Sequence, residues 1–320
     1  MTRRRSIHDI LASHTDQYEI HQQLHDVPPH AVYEASVDGR RAVCKLATGA
    51  RADPATEGSV LAYVGRETTI PVPTVLAIGS DHVLMTWDDA APQSGAIDES
   101  KARTMGAGLA RLHNETADRF ETYGVPRSNG TSLTVDEHDR WVETVQWLLR
   151  DRHDYLVGTG YAESATAVIE FFDDYPTIVA DPDPPVLCHG NFLPDHVAVD
   201  EETVASVIDF EHALVAPPEY DYWRTAIPLG TTEPDTIRRA FRNGYTSVRS
   251  IDIENERRHQ AYWLLNAVSY LKALFLQENV PEDTMSARAD RLAEKIRKRI
   301  RTLRTALPET SARDPDGNHG

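Results

Sequence analysis

Lysine is scarce in this 320-residue chain: of 33 basic side chains only five are lysine (Lys45, Lys101, Lys272, Lys295 and Lys298), and the rest are arginine. Acidic residues number 50, which leaves a formal net charge of -17. So little positive charge argues against a nucleic-acid partner, because a polyanion is met by a basic face. An acidic, lysine-poor, arginine-rich balance also fits a halophilic-type surface, kept soluble in a high-salt cytoplasm. Cysteine is nearly absent. Cys44 and Cys188 can make neither a disulfide framework nor a cysteine-rich metal site, and each sits in an apolar, strand-like run as a small hydrophobe. No apolar stretch approaches the roughly 20 residues needed to span a bilayer. The start, MTRRRSIHDILASH, has too short an apolar run for a secretory signal. These absences predict a soluble cytoplasmic protein without a transmembrane segment, and the length allows one or two domains.

What the chain does carry is concentrated between Val186 and Arg224. The apolar run Val186-Leu187-Cys188 drops into a polar loop, His189-Gly190-Asn191-Phe192-Leu193-Pro194-Asp195-His196. Val197-Ala198-Val199 and Val204-Ala205-Ser206-Val207-Ile208 then flank a tight acidic turn and predict a hairpin. The hairpin ends on Asp209. A carboxylate at the end of a buried strand is expensive unless a cation or hydrogen-bond donors meet it, which makes Asp209 a candidate site residue.

The loop resembles the catalytic loop of the aminoglycoside phosphotransferase and choline kinase family, whose pattern is H-G-D-x-x-x-x-N. Ile208-Asp209-Phe210-Glu211 resembles that family's I-D-[WF]-E, and Pro218-Glu219-Tyr220-Asp221-Tyr222-Trp223 its D-P-x-x-D-L. Two positions depart from the pattern. Asn191 stands where the family has its catalytic Asp, and His196 where it has its metal-binding Asn. The resemblance implies an α+β, bilobal, protein-kinase-like fold with a small N-terminal antiparallel sheet lobe and a larger, mainly helical C-terminal lobe. On that basis residues 1–89 form a nucleotide-covering lobe, residues 90–308 a catalytic and substrate lobe, and residues 309–320 a disordered tail.

Upstream segments add to the resemblance. Ala31–Ser36 and Arg41–Leu46 predict strands around Asp38-Gly39, a pair suited to the positive φ angles of a tight hairpin. The preceding loop, Val27-Pro28-Pro29-His30, lacks the glycines that let backbone N–H groups approach phosphates. Lys45 is one cation in an apolar strand, and Glu57 opens a short helical pattern twelve residues later. The pair resembles the strand Lys and helix Glu of kinase-like lobes; alternatively Lys45 snorkels from an edge strand and Glu57 is solvated. Ile70 to Ala77 and His82 to Trp87 resemble the strands leading to an interlobe hinge, with Trp87 either lining a base pocket or packed as core. Helical stripes follow: Met105-Leu109-Leu112, Trp141-Val145-Leu148, Val168-Phe172, Ile237-Phe241-Tyr245 and Leu264-Val268-Leu271-Phe275. His113 reads as a packed or capping residue. The first 25 residues predict a short helix on Ile7, Ile10 and Leu11. A last, basic amphipathic helix from about Met285 to Leu307 could meet a membrane surface or an acidic partner, or pack on the chain's own acidic helices.

In the frame of the resemblance, Lys45 and Glu57 serve ATP (or GTP), Asp209 binds Mg2+, His189 and Gly190 shape the loop, and Asp221 supports it. Asn191 cannot take a hydroxyl proton, but phosphoryl transfer depends mostly on positioning and charge neutralisation, so an amide can still orient an acceptor. Mg2+ prefers hard oxygen ligands and imidazole suits softer metals; His196 is thus a ligand of another kind or a base. The expected function is phosphoryl transfer from a nucleotide to a hydroxyl of a small molecule. A kinase-like, nucleotide-binding pseudoenzyme with a regulatory or scaffold role is the alternative. The acceptor and the oligomeric state have no signature.

Overall fold

The computed structural model describes residues 5–49, 51–92, 97–130, 132–180, 183–252, 254–276 and 281–307. The tail expected over 309–320 lies outside them. The chain divides into two compact units, Met1–Trp141 with Asp183–Asp252, and Val142–Pro182 with Ile253–Gly320.

The first unit begins with helix α1 (Ile7–Ala12), started by a reciprocal capping box between Ser6 and Asp9. The helix expected to about residue 25 stops there. Tyr18–Val27 instead forms strand β1, paired antiparallel along β2 (His30–Val37). The pairing closes a tight hairpin, with Val27 opposite His30, but β1 is mostly exposed and lacks the apolar alternation that would announce a strand. Strand β3 (Arg40–Ala47) returns through Asp38 and Gly39, with φ of 50° and 73°, as the Asp-Gly signal predicts. After α2 (Pro54–Glu67), strands β4 (Val75–Gly79) and β5 (His82–Thr86) complete an antiparallel sheet in the order β1-β2-β3-β5-β4. One face of this sheet packs Ala31, Ala35, Cys44 and Leu84 against Ile10 and Leu11 of α1. Burial pushes the Cys44 thiol up to about 12, so it is an inert core residue.

Helix α3 (Glu99–Glu115) precedes a hairpin that the sequence pattern does not announce, β6 (Tyr123–Ser128) and β7 (Leu133–His138). Strands β8 (Val186–Cys188) and β11 (Leu214–Ala216) join it in a sheet ordered β7-β6-β11-β8. Between β8 and β11 stands the predicted hairpin, β9 (Val197–Asp200) and β10 (Thr203–Val207). Helices α6 (Pro218–Thr232) and α7 (Asp235–Thr246) follow, with α7 packed on α3.

The second unit is helical among the described residues: most of α4 (Trp141–Leu156), α5 (Ala162–Asp174), α8 (Glu256–Leu274) and α9 (Glu282–Ala306). The apolar stripe of α9, including Ile296, Ile300 and Leu303, is buried, and the helix packs on α5 and α8. Arg299 spreads its guanidinium 3.9 Å above the Trp263 ring. The basic helix thus spends its apolar face on its own unit. No helix among the described residues is long and apolar enough to cross a membrane.

Candidate active site

Register within the five-stranded sheet aims Lys45. It lies opposite Val32 in β2 and Val83 in β5, in mid-sheet, where the side chain is buried. An ammonium there must be met by charge. Three carboxylates meet it: Nζ lies 2.8 Å from Glu57 Oε2 on α2, 2.9 Å from Asp209 Oδ1 and 2.9 Å from Glu211 Oε2. The ion pair between strand Lys and helix Glu is therefore present, though Glu57 Oε2 stands outside hydrogen-bond geometry. Burial alone would lower the Lys45 pKa, but the three carboxylates outweigh it and hold the ammonium charged.

Asp209 and Glu211 are the carboxylates the sequence motif brings in together, and Glu211 is the one sequence reasoning passed over. Its Oε2 also receives His30 Nδ1 at 3.1 Å. Two signals could have found the contact. Glu211 follows Asp209 by two residues, and His30 lies two residues from Val32, on the same face of β2 as the partner of Lys45. His30 Nε2 is buried with no partner among the described residues, and burial lowers the pKa of the ring. Asp209 itself adopts a left-handed backbone, φ 67°, of the kind found where a side chain is aimed for function.

The three carboxylates do not titrate alike. Burial raises Glu57 to about 7, against the pull of Lys45, while Lys45 holds Asp209 and Glu211 below the carboxylate range despite their burial. A folded-state pKa above the unfolded value near 4.5 means that the folded chain binds the extra proton. Its contribution to stability is present at low pH and disappears as pH rises through about 7. Glu57→Gln keeps the shape and removes the charge. The stability difference between wild type and Glu57→Gln, read by urea unfolding, is therefore expected to move against the wild type from pH 5.5 to pH 8. A difference independent of pH would refute the assignment.

The loop from His189 to His196 is held from three sides. Gly190 has φ 78°, and a Cβ there would stand 1.9 Å from the His212 carbonyl oxygen, so only glycine fits. Asp221, fully buried at the start of α6, accepts the backbone N–H of His189 at 2.7 Å and of Gly190 at 2.9 Å. His113 of α3 donates to the same carboxylate from Nε2 at 3.2 Å and pairs through Nδ1 with the Tyr245 hydroxyl at 2.8 Å. His113 is thus packed, as its setting in the sequence predicts. His189 donates from Nε2 to the Ile208 carbonyl at 2.9 Å and accepts the Asn191 N–H on Nδ1 at 3.1 Å. Burial pushes its pKa down to about 4, which keeps that neutral tautomer. Arg224 donates to the Gly190 carbonyl, and Lys101 to that of Pro194 at 3.3 Å.

At the two departing positions the rings and amides engage each other. His196 Nδ1 lies 2.9 Å from the Asn191 carbonyl oxygen. A carbonyl only accepts, so Nδ1 carries a proton. The Asn191 side-chain nitrogen, 3.3 Å from the same Nδ1, is a neighbour and not a hydrogen-bond partner. The other ring nitrogen, Nε2, faces Asp209 Oδ2 at 3.4 Å.

A family model described as "Phosphotransferase enzyme family" matches residues 30–262, most of the chain and the whole of this site. The chain belongs to the phosphotransferase enzyme family. No curated protein matches its sequence. Solved structures share the fold. A thermostable mutant of aminoglycoside phosphotransferase APH(4)-Ia in its apo form is 18% identical, with TM-score 0.63, over 89% of this chain and 94% of that one. A structure assigned as fructosamine-3-kinase from Thermobifida fusca is 18% identical, with TM-score 0.61, over 92% and 99%. The macrolide 2'-phosphotransferase type I is 19% identical, with TM-score 0.57, over 90% and 98%.

The sequence also points to Trp87. Trp87 follows β5, half-buried, with Arg41 stacked 3.6 Å from its ring centre and its indole N–H given to Asp89 at 3.0 Å. The structure does not join it to the Lys45 cluster by any contact among the described residues. For a divalent cation the donor set matters. The oxygens of Glu57, Asp209 and Glu211 converge within 4.8 Å, but the Lys45 ammonium already sits among them. What remains is Asp209 Oδ2 facing an imidazole nitrogen. One hard oxygen beside a nitrogen does not suit Mg2+, which asks for an octahedron of oxygens.

Proposed function

We propose that this protein transfers the terminal phosphoryl group of ATP or GTP to a hydroxyl of a small molecule. The observation that supports it most is the Lys45 ammonium, held between Glu57 of α2 and Asp209 at the end of the β9–β10 hairpin. A fixed cation of this kind neutralises phosphate charge without reorganising at the moment of reaction. Asn191 orients the acceptor hydroxyl through its amide. The acceptor oxygen bonds to the γ-phosphorus as the bridging P–O bond breaks. The nucleoside diphosphate leaves, and the hydroxyl proton passes to solvent. Because the transition state is loose, positioning and charge neutralisation carry most of the acceleration, and a carboxylate at 191 is not required. A solved complex of an APH(4)-Ia mutant with ADP and hygromycin B has a nucleotide and a small molecule together in this fold, which is consistent with this reading.

The test is nucleotide turnover against a panel of hydroxylated compounds, with thermal shift by ATP and GTP measured beside it. The wild type is expected to be stabilised by a triphosphate and to turn it over with at least one acceptor. Asn191→Ala is expected to lower kcat by about 10²-fold, the typical loss for a misplaced reactant, with little change in nucleotide KM. Triphosphate binding without turnover for any acceptor would favour a pseudoenzyme, and absence of triphosphate binding would remove the reading.

A further inference from the structure

The pair formed by His196 and Asp209 is more than a contact between a ring and a carboxylate. Each partner is orientated by its other side. His196 gives its Nδ1 proton to the Asn191 carbonyl, which leaves Nε2 as the ring atom that meets Asp209. Asp209 commits Oδ1 to Lys45, which leaves Oδ2 toward the ring. An imidazole whose far nitrogen is tied to a carbonyl is the usual arrangement of a metal-ligating histidine, because that bond sets both tautomer and ring direction. The 3.4 Å separation of Nε2 and Oδ2 is itself a ligand spacing. Two donors about 2.1 Å from one ion stand about 3.4 Å apart at a tetrahedral angle. The ring is also steadied by His189, stacked at 24° with centres 6.2 Å apart.

We propose that His196 Nε2 and Asp209 Oδ2 together bind a transition-series divalent cation, of the class of Mn2+, Co2+ or Zn2+, and select it over Mg2+. The chemistry follows from the mixed donor set. Nitrogen donors raise affinity along the first transition series and do little for Mg2+, which gives up water reluctantly and favours oxygen. The inference rests on the proposed phosphotransferase reading for its use, with the ion accompanying the nucleotide, but not for its evidence, which is the pair of donors.

The experiment uses the full chain, stripped of metal and free of nucleotide. Mn2+ is titrated by paramagnetic resonance, Mg2+ by competition against it, and Co2+ by its visible spectrum. The wild type is expected to bind Mn2+ at least tenfold more tightly than Mg2+ and to show nitrogen ligation in the Co2+ spectrum. His196→Asn is expected to lose the nitrogen signature and bring the two affinities within about threefold, with an unchanged urea midpoint. His196→Gln serves as a second variant should the first fail to fold. Equal affinities in the wild type, or a preference that survives both substitutions, would overturn the inference and make the contact a plain ion pair. ATP binding is measured on the same preparations. A protein that binds ATP without metal preference loses only this inference, while one that selects Mn2+ but binds no nucleotide keeps the site and loses the phosphotransferase reading.

Discussion

Asp221→Ala is expected to lower unfolding free energy by about 3–5 kcal/mol, the scale for removing one partner of a buried, hydrogen-bonded charge. Asp221 is fully buried and takes three donors: the His189 and Gly190 amides and His113 Nε2. Burial alone would raise its pKa, but His113, His189 and the loop amide hold it below the ordinary carboxylate range. Truncation leaves those donors facing one another in a dry site, and each buried, unsatisfied donor is penalised. Asp221→Asn is expected to cost less but still to be damaging, because its amide can accept on one side only and turns N–H toward a donor on the other. Urea unfolding of the two variants at pH 7.5 measures both. A loss below about 1 kcal/mol for the alanine variant would mean that the loop is held by Gly190 and Arg224 without the carboxylate.

Lys45→Met should act on stability and chemistry separately. It leaves Glu57, Asp209 and Glu211 around an apolar tip, so a loss of about 3–5 kcal/mol is expected at pH 8. The loss should shrink as pH falls, because without the pull of Lys45 the burial that raises the Glu57 pKa acts unopposed and the carboxyl takes up a proton. Adding Glu57→Gln to Lys45→Met removes one of the stranded charges, and most of the stability at pH 8 should return. Nucleotide turnover should not return. Loss of the fixed cation is expected to lower turnover by about 10³-fold, in the range found for deleting a charge-stabilising group. Turnover restored along with stability in the double variant would show that Lys45 serves the fold and not the nucleotide.

Much of the candidate site is legible in the linear sequence because its members are local. His189, Gly190, Asn191 and His196 share one loop, and the hairpin of Val197–Val199 and Val204–Ile208 ends on Asp209 within eighteen residues of Asn191. Alternating β-branched residues and an acidic turn suffice to predict that hairpin. The Asp-Gly turn before β3 and the stripes of α3, α7 and α8 are local in the same sense. Tyr18–Val27 is not, because β1 is mostly exposed and carries no apolar alternation, and neither is the short strand β11, whose partners β6 and β8 lie far off in the sequence. The β6–β7 hairpin escaped as β1 did: its alternation is weak, and β7 is largely polar.

The sequence by itself determined the family, the turn chemistry and which polar residues stand next to apolar runs, because these are carried by residue type and short spacing. It also determined that Asn191 and His196 depart from the family pattern. Tertiary structure alone decided which charges meet. Lys45 and Asp209 are 164 residues apart in the chain, yet their charged atoms lie 2.9 Å apart. Composition offers 50 acidic residues as partners, and only sheet register and the left-handed turn at Asp209 select three of them for one ammonium. Tertiary structure likewise decided which way the His196 ring faces. Which ring nitrogen faces Asp209 depends on the Asn191 carbonyl that holds Nδ1, a backbone group common to every residue type and therefore invisible in the sequence.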